Sequence, residues 1–291
     1  MNNCNNVSHP GFATQASPKA SPRREGFAEA SSRRMNTMRV FVMIAGLPAM
    51  LRTRPQRWRV ATAGWVALQA GLLWFGALTL WADTHYVSLD GTNDSVNGYI
   101  TWSGAATQIQ WAVSAAGVND TVLVSNGIYN LTNRISIAAN ITVRSLNGTN
   151  VTIVDGGYPA MTNQCFYMTA GTLDGFTIRN GCTTNITTQE GGGGVQLNGI
   201  NINVLNCLIY GNCVTNTNSA PFWYVGGGGI FLSDSCNGSI ISNCTIVSNA
   251  VSSGSSGGGI GLWSEGLIVA SRISGNWAPT AGGIFMIHGT V

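Results

Sequence analysis

Four phrases of one design recur in the second half of this chain: "EGGGGVQLNG", "VGGGGIFLSD", "SGGGIGLWSE" and "TAGGIFMIHG". Each is a glycine cluster followed at once by a short apolar alternation. Aligned on the last glycine of each cluster (Gly194, Gly229, Gly259 and Gly283), they stand 35, 30 and 24 residues apart. A second phrase sits between them: "LNCLIYGN", "SNCTIVSN" and "VASRISGN", with "LDGFTIRNG" as an earlier, looser copy. A repeat of this length, with strands of three to five residues and no helical period, cannot bury its apolar face alone. Stacking successive units buries it.

The alternation says which residues face inward. After the glycines the inward pairs are Val195 and Leu197, Ile230 and Leu232, Ile260 and Leu262, and Ile284 and Met286. In the second phrase they are Phe176 with Ile178, Cys207 with Ile209, Cys244 with Ile246, and Ser271 with Ile273. In-register stacking makes these into ladders: Cys207 and Cys244 in one, and Ile178, Ile209, Ile246 and Ile273 in another. Asn212, Asn249 and Asn276 fall at the turn, where asparagine tolerates the left-handed region and its amide bonds to the next copy. The glycines Gly194, Gly229, Gly259 and Gly283 occupy a recurrent corner at which coils approach closely. The shortest interval fits one coil of about three short strands, so the longer ones carry surface insertions such as "CVTNTNSAPFWY". The fold class expected is all-β, a parallel β-helix solenoid.

One segment breaks the pattern. In "SGAATQIQWAVSAAGVND", Ile109, Ala112, Val113 and Ala116 form a single helical stripe. A stack of coils has an open end that needs a lid. Ser103–Ala116 is therefore predicted as an N-terminal capping helix, with Ser103 as its N-cap. At the other end the sequence stops at Val291 in mid-coil, and the predicted β-helix domain, residues 83–291, reads as C-terminally incomplete.

Upstream, residues 1–59 are basic, rich in Ser, Asn and Pro and without periodicity. They read as disorder, or as sequence ahead of a true start at Met35, Met38 or Met50, with a short apolar run from Val40 to Leu51. Val60–Ala82 is an uncharged run of 23 residues behind Arg52, Arg54, Arg57 and Arg59. That is the pattern of a secretory signal, cleaved after Ala82, or of a membrane anchor if it stays uncleaved. Either reading places residues 83–291 outside the cytoplasm, secreted or at the cell surface, with membrane contact only through 60–82.

The formal charge of +3 belongs to that leader. From Asp83 onward four arginines oppose nine acidic residues, about −5. A mildly acidic, charge-poor domain has no basic stripe for nucleic acid.

The phrases "YVSLDGTND", "IQWAVSAAGVNDTVLVSNGIYN", "ITVRSLNGTNVTIVDGG" and "LDGFTIRNG", with the glycine-then-strand units, resemble the right-handed parallel β-helix repeat proteins, the pectin-lyase-like superfold of exported bacterial proteins. The resemblance spans roughly residues 84–291. It implies the right-handed hand of the coil. It does not imply one activity, because the superfold holds lyases, hydrolases, tailspikes and adhesins.

Two functions are compatible with it. The first is non-catalytic binding of a polysaccharide or a surface protein. Its candidate residues are Phe222, Trp223 and Tyr224 in the insertion, with Trp263 and Trp277 in later coils, since aromatic faces stack on sugars or anchor interfaces. The second is a lyase acting on uronate polymers by β-elimination. The resemblance then asks for a base, and for Ca²⁺ or another group to neutralise the uronate. Arg179 is the candidate base, with Asp155 and Asp174 beside it on neighbouring coils. The polygalacturonase elements "NTD" and "DD" are absent. No Cys/His cluster suggests a metal, and no cofactor is expected beyond Ca²⁺ under the lyase reading. His85 is expected at the surface. Cys207 with Cys213, and Cys236 with Cys244, are candidate disulfides by proximity in sequence; the alternative is that several are small buried hydrophobes.

Overall fold

The structure is a computed structural model and describes residues 82–184, 191–215, 226–252 and 256–287. Short strands stack in parallel into four sheets, giving a parallel β-helix. One coil runs Thr172–Asp174 in sheet A, Thr177–Arg179 in sheet B, Cys182–Thr184 in sheet D and Val195–Leu197 in sheet C. The chain then re-enters sheet A at Asn203–Leu205. Sheets A, B and C hold seven, six and six strands, and sheet D three.

Register converts the sequence alternation into stacked core columns. In sheet A, Val143, Leu173, Val204, Ile241 and Ile268 pair in succession. In sheet B the column is Val154, Ile178, Ile209, Ile246 and Ile273. Sheet C turns two residues inward for each one outward: Phe166 and Met168, Val195 and Leu197, Ile230 and Leu232, and Ile260 and Leu262 are all buried. Each such side chain removed from water contributes about 1.5–3 kcal/mol. Ile273 and Ile284, in the last described coil, are only partly buried.

Left-handed corners lie at both ends of the last four sheet B strands, Thr177–Arg179, Leu208–Tyr210, Thr245–Val247 and Arg272–Ser274. One set is Gly175, Asn206, Asn243 and Ala270, with φ of 81°, 53°, 51° and 50°. The other is Asn180, Gly211, Ser248 and Gly275, with φ of 53°, 64°, 55° and 62°. Asn212, Asn249 and Asn276 follow this second set by one residue and are not themselves left-handed, contrary to the sequence expectation. Their amides point inward instead. Asn212 Nδ2 donates to Ile178 O (3.0 Å) and Asn249 Oδ1 (3.0 Å), and Asn249 Nδ2 donates to Ile209 O (2.9 Å) and Asn276 Oδ1 (3.0 Å). Each amide oxygen also takes a backbone N–H from the preceding coil, as Asn249 Oδ1 does from Asn212 N (3.1 Å).

The glycine corner packs on this ladder. A Cβ on Gly229 would stand 2.8 Å from Gly259 O and 3.0 Å from Asn249 Nδ2, too close for any side chain. Gly194 and Gly259 repeat the arrangement over Asn212 and Asn276, whereas a Cβ on Gly283 would meet nothing within 4 Å. The fourth glycine of the expected set therefore lacks the contact that demands glycine at the other three.

The capping helix α1 spans Ile109–Ala115, with Ile109, Ala112 and Val113 buried against the first coil. It is shorter than predicted, and Ser103 is not its N-cap. Ala105 and Ala106 are held extended: Ala106 forms a parallel bridge with Val87, donates to Tyr86 O and accepts from Ser88 N. The helix starts only after Gln108, whose side chain makes no capping bond. Gln110 ties it to the stack, accepting from Ser136 N (2.6 Å) at the outermost strand of sheet C. His85, expected at the surface, is buried; its ring nitrogens contact Gly98 O (2.5 Å) and Asp120 Oδ2 (3.0 Å). Among the described residues no helix is long and apolar enough to cross a membrane, and the run 60–82 lies outside them up to Trp81.

Candidate functional site

The residues proposed for a lyase are only partly brought together. Asp155 and Arg179 are register partners in sheet B, and Arg179 Nε donates to Asp155 Oδ2 at 2.7 Å. Arg179 Nη1 donates to Tyr210 Oη (3.2 Å), and Asn180 Nδ2 to both Asp155 oxygens (3.1 and 3.0 Å). Asp174 stands apart in sheet A, beside Arg144 in register and bonded by Asn206 Nδ2 at 2.6 Å. Asn206 in turn accepts from Asn243 (2.7 Å), so Asp174 begins a polar ladder along the A–B corner. The expected three-residue group is therefore not one site. The bonds to Tyr210 and Asp155 hold the Arg179 proton more firmly than in free arginine.

The aromatic candidates divide similarly. Trp263 follows the sheet C strand Ile260–Leu262, while Trp277 bridges Ala250 in line with sheet D. They lie in consecutive coils. Phe222, Trp223 and Tyr224 lie outside the described residues.

The concave surface lies elsewhere, on the outer face of sheet C where it meets sheet D. An open groove of about 610 Å³ is lined by Arg134, Gln164, Tyr167, Gln196 and Asn198, with Thr183 among its other polar walls. Its floor comes from the outward position of two sheet C strands: Tyr167 and Gln196 are register neighbours. The next outward residue, Phe231, is fully buried. A Cβ on Gly191 would come within 2.8 Å of its ring, so the chain packs closely against it there.

The groove side chains brace one another. The Arg134 guanidinium lies 4.4 Å from the Tyr167 ring centroid, a cation–π distance, and its Nη1 reaches Gln164 Oε1 at 3.5 Å. Gln164 is buried. Its amide donates to Gly191 O and Gly192 O (both 2.8 Å) and to Gln196 Oε1 (3.2 Å). Tyr167 Oη accepts from Asn198 Nδ2 (2.6 Å), and Asn198 Oδ1 accepts from Ser233 Oγ (2.7 Å). Thr183 Oγ1 is buried on the wall without a hydrogen-bond partner. Among the described residues the lining holds one cation and no carboxylate, and it offers amide and hydroxyl hydrogen bonding. Among the described residues no three His, Cys, Asp or Glu side chains converge to hold a metal.

The sequence reading missed this site because it looked for acids and aromatic loops. The available signal was the middle letter of each "I-x-L" strand: Tyr167 lies between inward Phe166 and Met168, and Gln196 between inward Val195 and Leu197.

No protein-family model matches the chain. No curated protein matches it in sequence either. Among solved structures, one of a pectin methylesterase variant in complex with a hexasaccharide aligns at 13% identity and a TM-score of 0.33, over 65% of this chain and 67% of that one.

Proposed function

We propose that this protein is an exported or cell-surface parallel β-helix that binds a polysaccharide without cleaving it, through the groove on sheet C. The observation that carries the reading is the braced arrangement of Arg134, Tyr167, Gln164, Gln196 and Asn198 in an open channel. Planar amides and a guanidinium fixed before binding suit the vicinal hydroxyls and acidic groups of a sugar chain. Fixing them beforehand reduces the entropy lost on association. Export rests on the pattern of residues 52–82.

The test is affinity electrophoresis and calorimetry on a panel of neutral and acidic polysaccharides, with product analysis by chromatography. Retention without new reducing ends or unsaturated products is the expected result. Arg134→Ala is expected to weaken binding about tenfold or more, because hydrogen bonds to a charged group are worth about 1.5–3 kcal/mol. Retention on none of the panel, or retention indifferent to Arg134→Ala and Tyr167→Ala, would remove the proposal. Release of unsaturated uronides would return the lyase reading in its place.

A further inference from the structure

Six cysteines lie in the described residues, all buried. Neither pair suggested by sequence proximity is joined. Cys207 and Cys244 stack one above the other in the core and their thiols contact each other, but each is also engaged by backbone: Cys207 Sγ donates to Leu205 O (3.1 Å) and Cys244 Sγ to Ser242 O (3.3 Å). Cys236 Sγ donates to Leu197 O (3.0 Å). Cys182 and Cys213 differ. They are direct register partners, each opening its sheet D strand, and their sulfur atoms stand 2.7 Å apart. The other contacts of Cys182 Sγ are long, 4.0 Å to Thr183 O and 3.8 Å to Thr215 Oγ1.

The backbone holds the two cysteines side by side. Each cysteine follows the same left-handed corner by two residues, Asn180 in one coil and Gly211 in the next. The two chains therefore leave their corners in the same direction. Cys213 N donates to Gly181 O (2.8 Å), and Gly181 N donates to the ladder residue Asn212 at 2.8 Å, locking the coils together immediately before the pair. Parallel neighbours of this kind are spaced about 4.8 Å apart, inside the range of about 4.4–6.8 Å between the Cα atoms of a disulfide. In the following coil the matching position is Ala250, so no other cysteine competes in that direction.

We propose that Cys182 and Cys213 form a disulfide that staples two successive coils at sheet D. The bond forms as the coils stack, by exchange with a small disulfide such as oxidised glutathione. The two cysteine thiols lose two electrons and two protons and one S–S bond is made. The S–S bond of the small disulfide breaks, and its two sulfurs leave as thiols carrying those protons. Sheet D is where a staple matters most. Among the described residues it has three strands, and its own core cluster is Val214 and Val251 with Ala278 packed against them. Cys182 and Thr183 also form part of the groove wall. The staple would hold that wall in place, a consequence that rests on the polysaccharide reading; the bond itself does not.

The experiment refolds the full-length protein in a glutathione redox buffer, alkylates it under denaturing conditions without reductant, and maps its peptides. Cys182 and Cys213 are expected in one joined species, two hydrogens lighter than the sum of its thiol peptides, with Cys207 and Cys244 alkylated. Reduction is expected to lower the melting temperature by about 5–10 °C. A Cys182→Ser, Cys213→Ser double variant, which keeps near-isosteric side chains, is expected to melt at the same temperature with and without reductant. Alkylation of both Cys182 and Cys213, or a Cys207–Cys244 species in their place, would overturn the proposal. So would a reductant-dependent melting shift that persists in the double variant. Polysaccharide affinity is measured separately, so failure of the binding reading leaves the mapping result intact.

Discussion

Asn249 makes the case at the level of single residues. Its amide receives two hydrogens from Asn212 and gives two to Ile209 O and Asn276, all in the interior. Asn249→Ala removes these four bonds and leaves buried groups on both neighbouring coils unpaired, at about 1–3 kcal/mol for each group left unsatisfied. Denaturant titration is expected to show a loss of about 3 kcal/mol or more, and a loss below 1 kcal/mol would mean that water replaces the amide. Gly229→Ala attacks the same contact from the other side: its methyl would meet Gly259 O and the Asn249 amide at 2.8 and 3.0 Å. It is expected to lower the melting temperature by several degrees, whereas Gly283→Ala, with open space around it, leaves it unchanged. The spacing of these asparagines was readable from sequence. Their conformation was not, because either of two adjacent turn residues satisfies a turn-forming composition. Which one turns left-handed is decided by which amide then reaches an inward carbonyl. Reach of that kind exists only between coils.

Helix α1 shows the limit one level up. Its apolar stripe was legible, since Ile109, Ala112 and Val113 repeat at helical spacing on the residues the structure buries. Its start was not, because Ala106 has good helix propensity but is recruited by the first strand. The segment leaving the helix is pinned by Asp120. Burial pushes its carboxyl up, but hydrogen bonds from His85 and from the N–H groups of Asp83 and Gly117 outweigh that and hold it below the usual aspartate value. A group whose folded pKa is depressed stabilises the fold above its unfolded pKa, about 3.9. That contribution is lost as pH falls through the folded value. Stability is therefore expected to drop with acidification below about pH 4. Asp120→Asn should be less stable at neutral pH and should show a shallower acid limb. Parallel acid limbs in the two proteins would exclude Asp120 as a source of the dependence.

At the scale of the whole molecule, nearest-neighbour stacking makes stability local. The columns of sheets A and B are buried in the middle coils, while Ile273 and Ile284 in the last described coil are only half-covered. Hydrogen exchange is expected to be slowest in strands such as Leu208–Tyr210 and fastest in Arg272–Ser274 and Ile284–Met286. Uniform protection along the stack would contradict this. The groove is likewise a property of the stack. Arg134, Tyr167 and Asn198 come from three successive sheet C passes, and no local motif contains them. The sequence named the inward residues of those strands, and their outward partners acquired meaning only once the coils were placed in register.

The corners of the coil differ in one further respect. Every turn from Thr172–Asp174 onward between sheets A and B has the same length, and so does every turn between B and D, each holding one of the left-handed positions. The connection from sheet D to sheet C does not: residues 185–190, 216–225 and 253–255 all fall within it, and it accounts for most of the uneven spacing of the glycine clusters. Length is thus added or exchanged mostly at this edge, while the asparagine and isoleucine columns stay in step. A lineage built on this scaffold could acquire a new recognition surface by swapping cassettes there, and an engineer could graft foreign loops at the same address without redesigning the core.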